Sequence, residues 1–140
     1  MSSILSIAVS GLAAASERLQ DSASNVANAE SDGPTSASGS PAGATPQTQY
    51  PPAYTPKQVR QFATPGGGTK ALTTDVQPAT VLASEPNAPY ADQNGEVAKP
   101  NVDFASEAYQ QLTARYDFVM NAYVARVYSR MMKSLVDINT

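Results

Sequence analysis

Residues 101–140 read NVDFASEAYQ QLTARYDFVM NAYVARVYSR MMKSLVDINT, with neither Pro nor Gly among them. Apolar side chains return at Ala108, Leu112, Tyr116, Val119, Tyr123, Val127, Met131, Leu135 and Ile138, close to the roughly 3.6-residue repeat of an α-helix. Pro100 precedes the stretch, Asp103 stands where a helix cap is wanted, Glu107 falls in the first turns, and Arg126, Arg130 and Lys133 lie toward the end. All of these suit the helix dipole. The spacing predicts one long helix over Val102–Ile138. Its apolar surface is wide, because between Phe118 and Tyr128 only Asn121 and Arg126 are strongly polar. Such a helix has to be covered on several sides.

The opposite end of the chain offers one partner. From Ile4 to Ala29 there is no Pro and one Gly, and Leu5, Leu12, Leu19 and Val26 repeat every seven residues with Ala8, Ala15 and Ala23 between them. This is a narrow, coiled-coil-like stripe on a helix of about 39 Å, with Ser2 or Ser3 as its N-cap. Gly11 inside it reads equally as a tolerated break or as a point of tight helix contact. The two terminal helices are expected to pair as an antiparallel hairpin. One Ala-rich helix cannot cover the second, so the excess apolar surface is expected at an interface with other subunits rather than under the middle of the chain.

The middle is of another composition. All 11 Pro lie between Pro34 and Pro100. Gly33 to Pro56 carries no charge, and its Ser, Thr, Gly, Gln and Pro content predicts a flexible loop. Beyond Lys57, the stretches Gln58–Phe62 and Lys70–Leu82 read as short strands about the Gly66-Gly67-Gly68 turn, and Asn94-Gly95 as a hairpin turn between Tyr90–Asp92 and Glu96-Val97. The fold class is mainly α with a small β region. The expected divisions are an N-terminal helical segment (1–32), the loop (33–56), a β-rich region (57–100) and the C-terminal helix (101–140).

Composition removes most chemistry. The 140 residues include no His, Cys or Trp, which excludes imidazole-based triads, His or Cys metal sites, haem ligation and disulfides. A net charge of −3 provides no basic field for nucleic acid or an anionic membrane. No apolar run approaches the roughly 20 residues of a membrane span. The first charge is Glu17, which argues against a cleaved secretory signal. Ala63–Lys70 does not have the spacing of a phosphate loop, since Lys70 follows Thr69 into a strand-like segment. Glu30 with Asp32 reads as a solvated loop, Pro86-Asn-Ala-Pro89 as a chance proline match, and Arg115, Tyr116, Tyr123, Arg126 and Tyr128 as helix packing rather than base stacking. No catalytic, cofactor-binding or metal-ligating residue is expected, and the chain is not expected to be an enzyme.

One cluster is less ordinary. Ser22-Ala-Ser-Asn25-Val-Ala-Asn28-Ala29 places two Asn three apart on one helix face, where a fraying helix end is the plain reading. Leu19-Gln20-Asp-Ser-Ala-Ser24-Asn25-Val26-Ala27-Asn28 resembles the N-terminal signature of rod, hook and related axial proteins of the bacterial flagellum. Pro89-Tyr-Ala-Asp92-Gln-Asn94-Gly95-Glu-Val97-Ala-Lys-Pro100-Asn101-Val102-Asp103 is similar to the approach to the second helix in the flagellar basal-body rod protein family, proximal type. Asn121, Met131 and Lys133 also fall where that family's last helix carries such residues. Two features depart from its pattern. Arg115 and Tyr116 are adjacent where the family spaces Arg and Tyr two apart, and the uncharged Gly33–Pro56 stretch replaces the family's usual string.

The resemblance implies a structural subunit whose terminal helices assemble into a helical tube, part of drive shaft and export-channel wall, in the periplasmic rod of the basal body. It implies export without a cleaved signal by the flagellar type III apparatus. Its implied partners are other rod proteins and copies of itself, with the surrounding basal-body rings as a further option. The assembly surface is expected at Leu5, Leu12, Leu19, Asn25, Val26 and Asn28 of the first helix and Leu112, Tyr116, Val119, Asn121, Tyr123, Val127, Met131 and Leu135 of the last. A soluble cytoplasmic helical-hairpin adaptor would share the helices and the linker, would differ in cellular location and in not depending on secretion, and stays open on the residues alone.

Overall fold

The computed structural model describes residues 4–35 and 50–138. Ser2 and Ser3, and the greater part of the uncharged loop, lie outside them. In chain order the elements are α1 (Ile4–Ala27), β1 (Lys57–Ala63), β2 (Thr69–Asp75), β3 (Thr80–Ser84), β4 (Glu96–Pro100) and α2 (Phe104–Ile138). The architecture is two long terminal helices with two small two-stranded sheets between them, β1-β2 and β3-β4. It divides into two compact units.

The first unit holds Met1–Ala23, Gln58–Thr74 and Ala105–Thr140. Here α1 has a β-hairpin on one side and α2 on another. Thr69 N donates to Ser10 Oγ at 3.0 Å, and Thr73 Oγ1 donates to Asp21 Oδ2 at 2.8 Å and Glu17 Oε1 at 3.3 Å. The hairpin turns through Gly66, Gly67 and Gly68, all at φ between 91° and 101°, a region that side chains with a Cβ avoid. On its other side α1 meets α2 antiparallel. Gly11 lies against Asn121, the Arg18 guanidinium pairs with Asp117 at 2.9 Å, and Ser22 Oγ donates to Glu107 O at 3.1 Å.

The seam differs from the one the leucine repeat suggests. Ala8, Gly11, Ala15, Arg18 and Ser22, spaced by three and four residues, line the contact, and Ala8, Ala15, Ser22 and Ala114 are buried. Leu5, Leu19 and Val26 sit on the neighbouring stripe and remain exposed, as does Ala23. Close approach explains the choice at Gly11, where a Cβ would lie 2.6 Å from Asn121 Cγ. Gly11 is a tight helix contact and not a tolerated break.

The second unit holds Ser24–Lys57 and Asp75–Phe104. β3 and β4 are antiparallel, from Thr80 opposite Pro100 to Ser84 opposite Glu96. Gly33 bridges the other edge of β4 through paired hydrogen bonds with Ala98 (3.0 and 2.9 Å), and Val97 is fully buried. The two ends of the uncharged stretch are therefore packed, with Gly33, Thr35 and Pro56 all buried.

Two strand expectations are corrected. Lys70–Leu82 is not one strand but two, β2 and β3, in separate sheets. Pro78 in the break has no N–H to give a ladder, and Asn101 turns back onto that break, donating to Pro78 O and Ala79 O at 2.9 Å each. Tyr90–Asp92 forms no strand either, and Glu96–Pro100 pairs with β3. The Asp92 carboxylate instead accepts from Asn94 N (2.8 Å) and Glu96 N (2.9 Å), a side-chain turn that replaces strand pairing.

Candidate assembly surface

With the hairpin lying on α1, α2 touches one helix and presents the rest of its apolar surface outward. Leu112, Tyr116, Val119, Tyr123, Met131 and Leu135 are each 55–67% exposed. Leu5 and Leu19 of α1 are exposed as well, and Leu12 and Val127 are half-buried. Side chains of this size on a folded monomer make a patch far beyond scattered surface apolars.

Between the helices this surface is concave. Ala15, Ser16, Leu19, Gln20 and Ala23 of α1 and Ala114, Arg115, Phe118 and Val119 of α2 line a groove of about 480 Å³. The groove exists because the seam residues are too small to fill the space between the two backbones, while Leu19 and Phe118 stand along its walls.

The three asparagines belong to the chain's own framework instead. Asn25 is 1% exposed. Its Oδ1 accepts from Lys57 N at 2.9 Å and Tyr54 Oη at 3.1 Å, and its Nδ2 donates to Lys57 O at 2.7 Å. A neighbouring subunit could use this side chain only at the cost of those bonds. Asn28 Nδ2 donates to Ser24 O at 2.9 Å, satisfying a carbonyl at the helix end. Asn121, half-buried at Gly11, donates to Asp117 O at 2.8 Å.

Sequence reading missed the partners of these groups, Tyr54 and Lys57, and the Arg18–Asp117 pair. A signal for the pair was present, since Arg18 is the only charge at the three-and-four spacing of the small-residue seam. Of the ionisable groups, Lys99 is held above its ordinary range, mainly by its 2.6 Å hydrogen bond to Glu30. Among the described residues no group of three or more acidic side chains could hold a metal ion, and no helix is long and apolar enough to cross a membrane.

No protein-family model matches the chain. Individual relatives do. The flagellar basal-body rod protein FlgC of Salmonella typhimurium is 39% identical over 139 residues, covering 94% of this chain and 93% of the relative. The proteins of the same name from Escherichia coli O6:H1 and Yersinia enterocolitica are 37% and 36% identical over the same shares. The chain belongs to the FlgC family of flagellar basal-body rod proteins. Membership explains why α2 is built with more apolar surface than its own chain covers: a FlgC-type subunit is a structural part of a larger body and not an enzyme. The cytoplasmic adaptor is accordingly not favoured.

Proposed function

We propose that this chain is a subunit of the proximal rod that orders fully when its terminal helices pack against neighbouring subunits in a helical tube. The observation that carries the reading is the uncovered apolar face of α2 in a member of a rod-protein family. Burying an apolar side chain contributes about 1.5–3 kcal/mol, so the six most exposed of these residues together offer enough to drive association against its entropic cost.

In this reading Leu5, Leu12, Leu19, Val26, Leu112, Tyr116, Val119, Tyr123, Val127, Met131 and Leu135 form the contacts. Residues 1–32 and 101–140 act as the helical core, with 33–56 as an uncharged loop and 57–100 as a small β-rich region in the chain between them. The chain assembles with other rod components and with its own copies in the basal body. It lies in the periplasmic segment, forms part of the drive shaft and export-channel wall, and arrives through the flagellar type III apparatus.

The test is fractionation of wild-type cells and of cells lacking the export apparatus, with the chain probed in purified basal bodies. Export-dependent recovery in basal bodies is expected. Retention in the cytosol of both strains would return the adaptor reading. Ordering on assembly has its own check: dilute purified chain showing full helicity and a sharp cooperative melt would refute it.

A further inference from the structure

We propose that the free edge of β3 pairs with the same edge of a second copy, antiparallel and about a two-fold axis at Leu82, giving a closed dimer. The register of the β3-β4 sheet decides which backbone groups point where. Glu85 N donates to Gly95 O and Asn101 N to Ala79 O, both at 2.9 Å. Residues 79, 81, 83 and 85 therefore turn their N–H and C=O toward β4, and Thr80, Leu82 and Ser84 turn theirs away from it. Ala98 shows the same alternation on β4, where its N–H and C=O go to Gly33 on the far side. Among the described residues β3 has no second strand beside it, and the N–H and C=O of Thr80, Leu82 and Ser84 have no partner.

Exposed strand edges usually carry a charge, a proline or a bulge that resists pairing. Thr80–Ser84 carries no charge and no Pro, pairs one to one with β4, and leaves Val81 and Leu82 44% and 64% exposed. What this edge fits is itself. Turned about Leu82, Thr80 falls opposite Ser84 of the second copy, hydroxyl to hydroxyl, Val81 falls opposite Ala83, and Leu82 meets Leu82. Pro78 and Pro86 stand four residues to either side of Leu82 and, having no N–H, end the ladder at the same place in both copies. Glu85 meets Ala79, so no like charges are opposed. Thr80, Leu82 and Ser84 of the two copies then make about six hydrogen bonds. The far edge of β4 is already held by Gly33, so the contact closes at two copies and does not propagate. Subunits of a helical tube all point one way, which excludes this two-fold pairing between tube neighbours. The inference does not need the rod reading; where that reading holds, the pair has to open before the chain enters the tube.

Backbone amides read this pairing directly. Hydrogen exchange on the purified full chain is followed residue by residue over a roughly hundredfold range of concentration. Val81 and Ala83, bonded to β4, should be protected throughout. Thr80, Leu82 and Ser84 should gain protection with concentration, by at least about tenfold at the top of the range. Association through α2 alone would leave these three amides unchanged, and that result overturns the proposal. So does exchange at Val81 and Ala83 as fast as in an unfolded chain, since the edge must be formed in order to pair. Thiols then report the register. The chain has no cysteine, and Cα atoms directly opposite at a hydrogen-bonded position lie about 5.5 Å apart, within disulfide reach. Leu82→Cys alone, and Thr80→Cys mixed with Ser84→Cys, should oxidise to dimer at least about tenfold faster than Ser84→Cys alone, whose thiols stand about 14 Å apart. Equal rates in all of these would mean chance collision and overturn the two-fold register. None of these results bears on recovery of the chain in basal bodies, so the rod reading stands or falls separately.

Discussion

The Asn25 side-chain amide is bonded to both backbone groups of Lys57, accepting from its N–H at 2.9 Å and donating to its carbonyl at 2.7 Å. It stands in for a neighbouring strand at the first residue of β1, and Tyr54 Oη completes the oxygen's coordination. Asn25→Ala removes both of these bonds and leaves a gap at a buried position, a loss expected to be about 2 kcal/mol. Asn25→Asp keeps the acceptor, loses the donor and sets a carboxylate against the Lys57 carbonyl, so it should be no milder. Urea melts at concentrations where the chain associates, with hydrogen exchange at the Lys57 amide, check this; a change below about 0.5 kcal/mol, ordinary for surface positions, would refute the clamp.

Gly11 and Asn121 should be strongly coupled. Gly11→Ala gains about 1 kcal/mol of helix propensity but drives its Cβ into Asn121, so the single change should be neutral or destabilising. In an Asn121→Ala background the obstruction is gone, and the same change should stabilise. Circular dichroism melts of the four variants, at concentrations where the chain associates, give the coupling directly. Additive effects would mean that the seam is looser than described.

The Arg18–Asp117 pair is half-buried, with the side chains 16% and 40% exposed. Solvent screening keeps its worth to about 1 kcal/mol. Arg18→Ala should cost somewhat more, because the stem of Arg18 also fills the seam. Added salt should narrow the gap between wild type and Asp117→Asn, and a salt-independent gap would assign the loss to packing instead.

Leu135→Ala separates isolated from assembled chain. At 55% exposure it should shift the isolated chain by less than about 0.5 kcal/mol. If neighbours bury it in the rod, the loss there rises to about 2–5 kcal/mol, read as reduced motility and reduced recovery in basal bodies. Normal swimming, repeated at Val119 and Met131, would remove these residues from the contact.

Lys99 gives the fold a dependence on alkaline pH. Its hydrogen bond to Glu30 raises it above the ordinary 10.5. A lysine raised in the folded state contributes fully below its unfolded value and loses that contribution as pH climbs through the folded one. Stability should therefore be level from neutral pH to about pH 10 on this account and decline above it. Lys99→Met should flatten the alkaline decline, measured by urea midpoints from pH 8 to 11.

The long helices were legible in the sequence because helical periodicity is a local property, written in the spacing from Leu112 to Leu135 and in the absence of Pro and Gly. The width of the apolar surface of α2 was legible for the same reason, and with it the need for partners. The seam was not. Two stripes run side by side on α1, one of leucines and one of small residues, and hydrophobicity alone favours the leucines. Tertiary structure chose Ala8, Gly11, Ala15 and Ser22, with the Asn121 side chain set against Gly11, and Leu5, Leu19 and Val26 were left exposed. The destinations of Asn25 and of the strand break at Pro78 were likewise undecided in the sequence. A side-chain amide or a strand edge is satisfied by whichever backbone is brought to it, and that backbone, at Lys57 or Asn101, lies tens of residues away along the chain.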